Sequence, residues 1–324
     1  VVGYRDPGNS NYGTARVGTI ASGGGSISWG SATVFESGYT NSLRGCFDST
    51  NNKVVFCYRD SGNSHYGTAV VGTVSGTSIS FGTPVVFESA AIENPAIAFD
   101  ESNGKVLITY QDQGESNAGK AVVGTVSGTS ISFGTVTEFN PQIGYNMLVY
   151  FAAEAKLMMV YSANTSTIAR FATISGTSVT FESEETVASG NPNYVNTPIY
   201  HSAAEKVMVS YSSSGHVHYR MAYHTGLGGS NIDFDAATVD TGKGQSYETF
   251  GVYDPDTKQI VTTYVDSDIA DLAAFVSTVK YTLSNLSASN FIGISNAAYS
   301  NGDTATVQVP GAVDDAQSGL TIGS

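Results

Sequence analysis

The sequence has few charged side chains, and few basic ones above all. Only 14 of its 324 residues are Lys or Arg, against 28 Asp or Glu, and charged residues make up 13% of the chain. Nucleic acid binding needs a basic surface that neutralises phosphates, so a formal net charge of −14 argues against nucleic acid as a partner. No apolar run approaches the ~18 residues of a membrane span. We therefore expect neither nucleic acid binding nor membrane insertion.

Cysteine is also scarce, with only Cys46 and Cys57. The two residues flank a turn sequence, DSTNNK at 48–53, and a hairpin closed there would place them opposite one another. This arrangement leaves two interpretations open, a cross-strand disulfide and a pair of small buried thiols. Two cysteines do not decide the cellular compartment.

What the chain has in abundance is typical of strands and tight turns. It contains 36 Gly and 19 Tyr and is rich in Ser, Thr, Val and Phe, whereas helices favour Ala, Leu, Glu, Lys and Arg. Apolar residues make up 41% of the chain, enough to bury a core that offsets the loss of chain entropy. The composition predicts an all-β globular protein.

An internal repeat is the strongest signal in the sequence. The stretch AVVGTVSGTSISFGT occurs at 69–83 and again, letter for letter, at 121–135, an offset of 121 − 69 = 52 residues. A strand ending in Tyr recurs with nearly the same period, at Tyr4, Tyr58, Tyr110, Tyr161, Tyr211 and Tyr264. A Lys that opens this strand recurs with it, at Lys53, Lys105, Lys156, Lys206 and Lys258. The chain is therefore built from repeated units of ~50 residues.

Within one unit, 93–139, four strand-like runs alternate with turn sequences, at 95–100, 105–110, 120–126 and 131–139. Four antiparallel strands repeated about six times predict a β-propeller. We expect the propeller to span 1–294, with units starting near residues 1, 43, 94, 145, 195 and 247, and a C-terminal β segment to follow at 295–324. The first unit lacks its first strand. Either a C-terminal segment such as 304–309 (TATVQV) supplies that strand and closes the ring, which we favour, or the strand lies upstream.

The loop after the Tyr strand carries the residues best suited to bind a ligand. It reads RDPGNSNYG at 5–13 and RDSGNSHYG at 59–67, and it weakens to QDQGESNAG at 111–119. Carboxylate and amide groups can hydrogen-bond vicinal sugar hydroxyls while a tyrosine ring stacks on the sugar face. The predicted carbohydrate-binding residues are Asp6, Asn9, Tyr12, Asp60, Asn63 and Tyr66. The alternative is that these Asp and Asn side chains only hold a tight turn.

No metal or other cofactor is predicted. Calcium would suit oxygen-rich loops in an acidic protein, but no segment has the dense alternate Asp and Asn spacing of a calcium loop. His216 and His218 lie two apart on a predicted strand, with His224 near its end, and no third ligand follows at the spacing of a zinc site. We interpret these histidines as packing or surface residues.

A glycoside hydrolase is the enzyme class to weigh, because some propellers carry acidic residues at the ends of their inner strands around a central pocket. Acids recur here at what the repeat predicts to be equivalent positions, namely Asp48, Asp100, Glu154, Glu205 and Asp254. A residue repeated by register is better explained by a hairpin turn than by catalysis, which needs one asymmetric constellation. No catalytic nucleophile, zinc-protease or phosphate-loop motif is present either.

The units VVFCYRDSGNSHYGTAVVGTVSGTSISFGTPVVF and VLITYQDQGESNAGKAVVGTVSGTSISFGT resemble repeat arrays in tail-fibre and host-adhesion proteins of marine bacteriophages. The segment 290–324 resembles a short β module that follows such arrays. The resemblance implies a protein at the virion surface, or extracellular, that binds a host-cell glycan or receptor without acting as an enzyme. Its expected protein partners are other tail proteins and further copies of the chain. A purely structural tail component is the remaining alternative.

Overall fold

The computed structural model describes residues 1–22, 25–190, 197–213, 216–224, 232–240, 246–266, 271–277, 294–295 and 307–308. This part of the chain is all-β, as the composition predicts, with two single-turn 3-10 helices at Gln113–Glu115 and Ala152–Glu154. No helix in these ranges has the length and apolarity to cross a membrane. Internal contacts divide the chain into two compact parts, Val1–Val279 and Lys280–Ser324.

The larger part is a series of repeated antiparallel units. Unit 1 contains β1 (Val2–Asp6), β2 (Tyr12–Arg16), β3 (Gly18–Ile20), β4 (Ile27–Trp29) and the start of β5 (Thr33–Asp48). Unit 2 contains the rest of β5, then β6 (Lys53–Asp60), β7 (Tyr66–Ser75), β8 (Ser78–Phe81) and the start of β9 (Val85–Asp100). Unit 3 contains the rest of β9, then β10 (Lys105–Asp112), β11 (Ala118–Ser127), β12 (Ser130–Phe133) and β13 (Thr137–Asn140).

The later units follow the same order. Unit 4 contains β14 (Asn146–Phe151), β15 (Lys156–Ala163), β16 (Ser166–Ser175), β17 (Ser178–Phe181) and β18 (Glu185–Ser189). Unit 5 contains β19 (Ile199–His201), β20 (Lys206–Ser213), β21 (His216–His224), β22 (Ile232–Phe234) and β23 (Thr238–Asp240). Unit 6 contains β24 (Ser246–Asp254), β25 (Gln259–Asp266) and β26 (Asp271–Ser277).

The smaller part of the chain contains β27 (Ile294–Ser295) and β28 (Val307–Gln308), which pair antiparallel. Of the segment 304–309, expected to close the ring, only Val307–Gln308 is described, and residues 304–306 and 309 lie outside the described ranges. The closing strand therefore stays a prediction.

Each unit pairs its strands in chain order and antiparallel, so the predicted up-and-down sheet is confirmed. The fourth strand of a unit comes in two segments that both pair with the third strand, as β12 and β13 do with β11. The 16-residue strands β5 and β9 each serve two units. β9, for example, pairs with β7 through 85–91 and with β10 through 92–100, so one strand is both the last strand of unit 2 and the first strand of unit 3.

Apolar clusters fill the spaces between successive units. Val106 and Ile108 lie in the cluster shared with unit 2, whereas Leu107, between them in the chain, lies in the cluster shared with unit 4. The consecutive apolar residues of this strand are thus covered on both faces, as their pattern predicts. The recurring tyrosines belong to the same layers: Tyr58, Tyr110 and Tyr161 are fully buried against the preceding unit.

A close backbone contact recurs between successive units. A Cβ atom on Gly82 would lie 1.8 Å from the carbonyl oxygen of Thr129, which is one repeat further on. A Cβ atom on Gly30 would likewise lie 1.8 Å from the carbonyl oxygen of Thr77. The glycine of SFGT therefore packs against the next unit. The turn SGTS packs against the corresponding glycine of the preceding unit. Each copy must keep both halves of the contact.

The prediction that the two cysteines lie opposite one another is wrong. The hairpin closes with Asp48 opposite Lys53, so Cys46 pairs with Val55 rather than with Cys57. Both cysteines are free thiols. Burial raises the pKa of Cys57 to about 12. Of the second interpretation, a pair of buried thiols, the structure bears out the burial of Cys57, whereas Cys46 is half-buried.

The acids at the ends of the inner strands hold hairpin turns. Asp48 and Asp100 are buried, and each accepts a hydrogen bond of 2.9 Å from a backbone N–H two or three residues further on. Asp254 likewise accepts a backbone N–H, at 3.0 Å. The turn interpretation is confirmed for these three residues.

The prediction that Glu154 and Glu205 continue this series is wrong. The positions opposite the opening lysines of units 4 and 5 are occupied by Phe151 and His201. Glu154 and Glu205 follow them in the chain, within the turns. In unit 5 the buried imidazole of His201 accepts a 3.1 Å hydrogen bond from the turn amide of Ala204. It therefore takes the place that an aspartate carboxylate has in units 2 and 3.

Candidate functional site

The two predicted ligand loops connect the second and third strands of their units, β1 to β2 and β6 to β7. Each loop contacts the long strand, β5 or β9, that continues into the next unit. The amide of Thr40 donates to the carbonyl of Asn11 at 3.2 Å, and the amide of Ile92 donates to the carbonyl of His65 at 3.0 Å. The predicted residues of each loop are therefore brought together at one end of the unit, beside the chain that leaves it.

The aspartates of these loops also hold a turn. Oδ1 of Asp60 accepts the amides of Gly62 and Asn63 at 3.0 and 3.1 Å. Oδ1 of Asp6 accepts the amide of Gly8 at 3.0 Å. The turn interpretation is thus confirmed for one oxygen of each carboxylate, while carbohydrate binding stays a prediction.

The loop of unit 1 lies beside an exposed cation and two tyrosines. Arg5 donates a 2.8 Å hydrogen bond to the hydroxyl of Tyr39, and its guanidinium lies 5.3 Å from the centre of that ring. Tyr39 is 41% exposed and is the register partner of Tyr12, which in turn is opposite Asp6 on the other side. Asn9 is exposed at the tip of the loop. This end of unit 1 combines stacking surface with charged and neutral hydrogen-bonding groups.

Tyr39 was not among the residues that the sequence predicts. It lies in the crossing after unit 1, and the corresponding residue after unit 2 is Ala91, which is the register partner of Tyr66. A residue present in one unit gives no repeat signal. Only the strand pairing brings it next to Tyr12.

The equivalent arginine of unit 2 is not free to bind a ligand. Arg59 forms an ion pair of 3.2 Å with Glu93, and its side chain is 15% exposed. With Ala91 in place of the second ring, the loop of unit 2 has less stacking surface than that of unit 1. Asp60 there is buried, whereas Asn63 is exposed and Tyr66 is half-buried.

A half-buried carboxylate accompanies the recurring tyrosine in units 2 and 3. The hydroxyl of Tyr58 donates to Glu36 at 3.0 Å, and that of Tyr110 donates to Glu88 at 2.8 Å. Burial, followed by the neighbouring carboxylate, raises the pKa of both tyrosines. Burial and then the charge of Glu36 also raise the pKa of Asp60. The repeated letters VFES, at 34–37 and 86–89, are the signal by which these glutamates could have been found.

The histidines contact neighbouring protein groups. His218 stacks on Tyr211 with ring centres 5.2 Å apart, and its Nε2 lies 3.0 Å from the carbonyl oxygen of Ser213. Nδ1 of His224 lies 2.9 Å from a carboxylate oxygen of Glu154. Across the described ranges, no three or more His, Cys, Asp or Glu side chains converge on a metal position.

Comparison with known proteins gives a likeness of fold. No family model matches the chain, and no curated protein matches it in sequence. A triple arginine-to-alanine variant of AofleA from Arthrobotrys oligospora is similar over 84% of this chain and 85% of its own, with 10% identity and a TM-score of 0.51. AofleA without those substitutions is similar over 84% of each chain, with 9% identity and a TM-score of 0.49. NanB in complex with Optactamide is similar over 73% of this chain and 60% of its own, with 8% identity and a TM-score of 0.49.

Proposed function

We propose that the chain is a six-bladed β-propeller at the surface of a bacteriophage virion and that it binds a host-cell glycan without cleaving it. The exposed contact of Arg5 with Tyr39, beside Tyr12 and Asp6, carries the binding proposal. The repeated sequences, which resemble those of phage tail-fibre and adhesion proteins, support the virion assignment.

Exposure of the first unit supports closure into a ring. Ile27 in β4 is 50% exposed. The residues at the same position in units 2 to 5 are only 3–5% exposed, because each packs against the preceding unit, and these are Ile79, Ile131, Val179 and Ile232. Ile27 thus has the position of an interface residue, and the unit that would cover it is one that precedes unit 1 in a ring.

The last unit carries the matching half. Val252 in β24 is 63% exposed, whereas Ala98 and Ile199, at the same position in units 3 and 5, are 8% and 6% exposed under the following unit. Packing unit 6 on unit 1 would bury both faces, at about 25 cal/mol for each Å² of apolar surface removed from water. This complementarity favours a closed propeller.

The end of unit 1 fits a sugar by its chemistry. A tyrosine ring stacks on the apolar face of a pyranose, while guanidinium and carboxylate groups bind vicinal hydroxyls in pairs. Arg5 beside Asp6 gives the site no excess charge, and the net charge of −14 disfavours strongly anionic ligands. A neutral glycan is therefore the ligand that we expect.

A glycan array probed with the full chain tests the binding proposal. Tyr39→Ala and Tyr12→Ala should each weaken binding of the retained glycan by about twofold to tenfold, since one aromatic stacking contact contributes about 0.5–1.5 kcal/mol. Phe47→Ala, which removes an exposed ring outside both loops, is the control and should bind as wild type. Equal binding by wild type and both unit 1 variants would refute the site.

Two further measurements separate the alternatives. Mass spectrometry of the retained glycan after long incubation should find it intact, and release of shortened sugars would favour a glycoside hydrolase. The isolated chain should also block adsorption of a phage that carries it. A structural tail component would neither retain a glycan nor compete for adsorption.

A further inference from the structure

A buried aspartate and a half-buried glutamate lie beneath the loop of unit 2. Asp60 is 6% exposed and Glu36 approaches it from the preceding unit, close enough to disfavour its ionised form. Oδ1 of Asp60 is held by the amides of Gly62 and Asn63, but its Oδ2 makes no hydrogen bond or ion pair with the described residues. Neighbouring carboxylates destabilise each other unless positive charge accompanies them, and in unit 2 the charge of His65 offsets this for Asp60 only in part, since the pKa of Asp60 is still raised.

Unit 3 supplies that positive charge from its own chain. Nζ of Lys120 lies 2.6 Å from Oδ2 of Asp112 and 3.0 Å from a carboxylate oxygen of Glu115. The side chains of Lys120 and Asp112 are only 12% and 2% exposed, so this is a largely buried ion pair. Glu88 from the preceding unit completes the same arrangement that Glu36 makes in unit 2.

Unit 2 lacks the lysine. Lys120 is the register partner of Tyr110, and the register partner of the equivalent Tyr58 is Thr68. Thr68 is 2% exposed, and its Oγ1 is buried without a hydrogen-bond partner among the described residues. Strand pairing places Thr68 on the same face of the sheet as Tyr58 and Asp60. The position that a lysine ammonium occupies in unit 3 is thus bordered in unit 2 by two unpartnered oxygens, Oδ2 of Asp60 and Oγ1 of Thr68.

We propose that unit 2 binds a calcium ion between Asp60 and Thr68, where unit 3 places the ammonium of Lys120. Carboxylate and hydroxyl oxygens are suitable ligands for this hard cation, and water completes the shell of six to eight oxygens that calcium takes in proteins. Asn63 stands where Glu115 stands in unit 3, so its exposed amide oxygen is a further ligand within the same loop. With so few protein carboxylates, the dissociation constant should be on the order of 10⁻⁴ to 10⁻³ M.

The ion would act between two units. Asp60 and Thr68 belong to unit 2, whereas Glu36 belongs to β5 in its unit 1 portion. A cation here therefore relieves repulsion across the unit 1–unit 2 interface. It does not depend on glycan binding, because neither Arg5 nor Tyr39 takes part.

Thermal unfolding of the full chain tests the site. After chelator treatment and dialysis, titration with CaCl₂ up to about 10 mM should raise the Tm by a few degrees, and the rise should begin near the dissociation constant and then follow the logarithm of the calcium concentration. Equal titrations with MgCl₂ and NaCl should have smaller effects. A rise in Tm of the same size with NaCl, or no rise with CaCl₂ beyond that seen with NaCl, would overturn the calcium assignment.

Thr68→Lys is the decisive variant, because it introduces into unit 2 the lysine that unit 3 has at the equivalent position. This variant should be more stable than wild type without calcium, and its Tm should no longer respond to the ion. Asp60→Asn should also lose the response. Asp112→Asn, which disrupts the lysine pair of unit 3, is the matched control and should retain it. A wild-type calcium response in Thr68→Lys would show that the ion binds elsewhere and would refute the proposal.

Discussion

Replacement of Gly82 by Ala tests the backbone contact that repeats between units. The added Cβ would lie 1.8 Å from the carbonyl oxygen of Thr129, whereas real Cβ atoms essentially never come within 3.0 Å of another heavy atom. The two backbones must therefore separate by at least 3.0 − 1.8 = 1.2 Å. The obstructing atom belongs to a β-turn backbone rather than to a flexible side chain, so the strain cannot be relieved by a rotamer change.

Overpacking of this kind costs about 1–3 kcal/mol or more, and we expect the free energy of unfolding of Gly82→Ala to fall by at least about 2 kcal/mol. Urea unfolding followed by intrinsic fluorescence measures it. Gly25→Ala is the matched control, because nothing lies within 4 Å of its added Cβ, and it should change stability by less than about 0.5 kcal/mol. If Gly82→Ala were as stable as Gly25→Ala, the close approach of the two units would not exist in solution.

Three other perturbations probe the interior. Tyr58→Phe leaves an oxygen of Glu36 without its 3.0 Å hydrogen bond, and urea unfolding should find it about 1–3 kcal/mol less stable; an unchanged midpoint would argue against that bond. Cys57 is buried with a pKa of about 12, so iodoacetamide at about pH 8 should leave it unmodified until urea unfolds the chain, and rapid native labelling would contradict its burial. If the ring closes, Ile27→Asp should destabilise the protein nearly as much as Ile79→Asp; an open ring predicts an effect at Ile79 alone.

The repeat made much of the fold predictable. Its period located the units, and consecutive apolar residues such as those at 106–108 indicated strands covered on both faces. The errors arose where counting residues replaced strand pairing. The hairpin closes with Asp48 opposite Lys53, and this register puts Cys46 opposite Val55 instead of Cys57. The position predicted for Glu205, opposite the opening lysine, is occupied by His201.

The candidate site was predictable only in part, because repetition identifies structure better than ligand binding. Asp6 and Asp60 recur, and each holds the turn of its own loop. Tyr39 and Lys120 each occur in one unit only, so the repeat gives them no weight. Their importance appears once the strand pairing places Tyr39 beside Tyr12 and the ammonium of Lys120 beside the buried carboxylate of Asp112.

The paired contact of Gly82 with Thr129 bears on how the gene can change length. Residues 69–83 and 121–135 are identical, and each copy holds both the glycine that reaches the next unit and the turn that accepts the previous one. Unequal recombination between the two copies would delete or add 121 − 69 = 52 residues in frame. The units on either side of the junction would still meet through a glycine and a threonine turn. This contact at the new boundary would therefore need no compensating substitution.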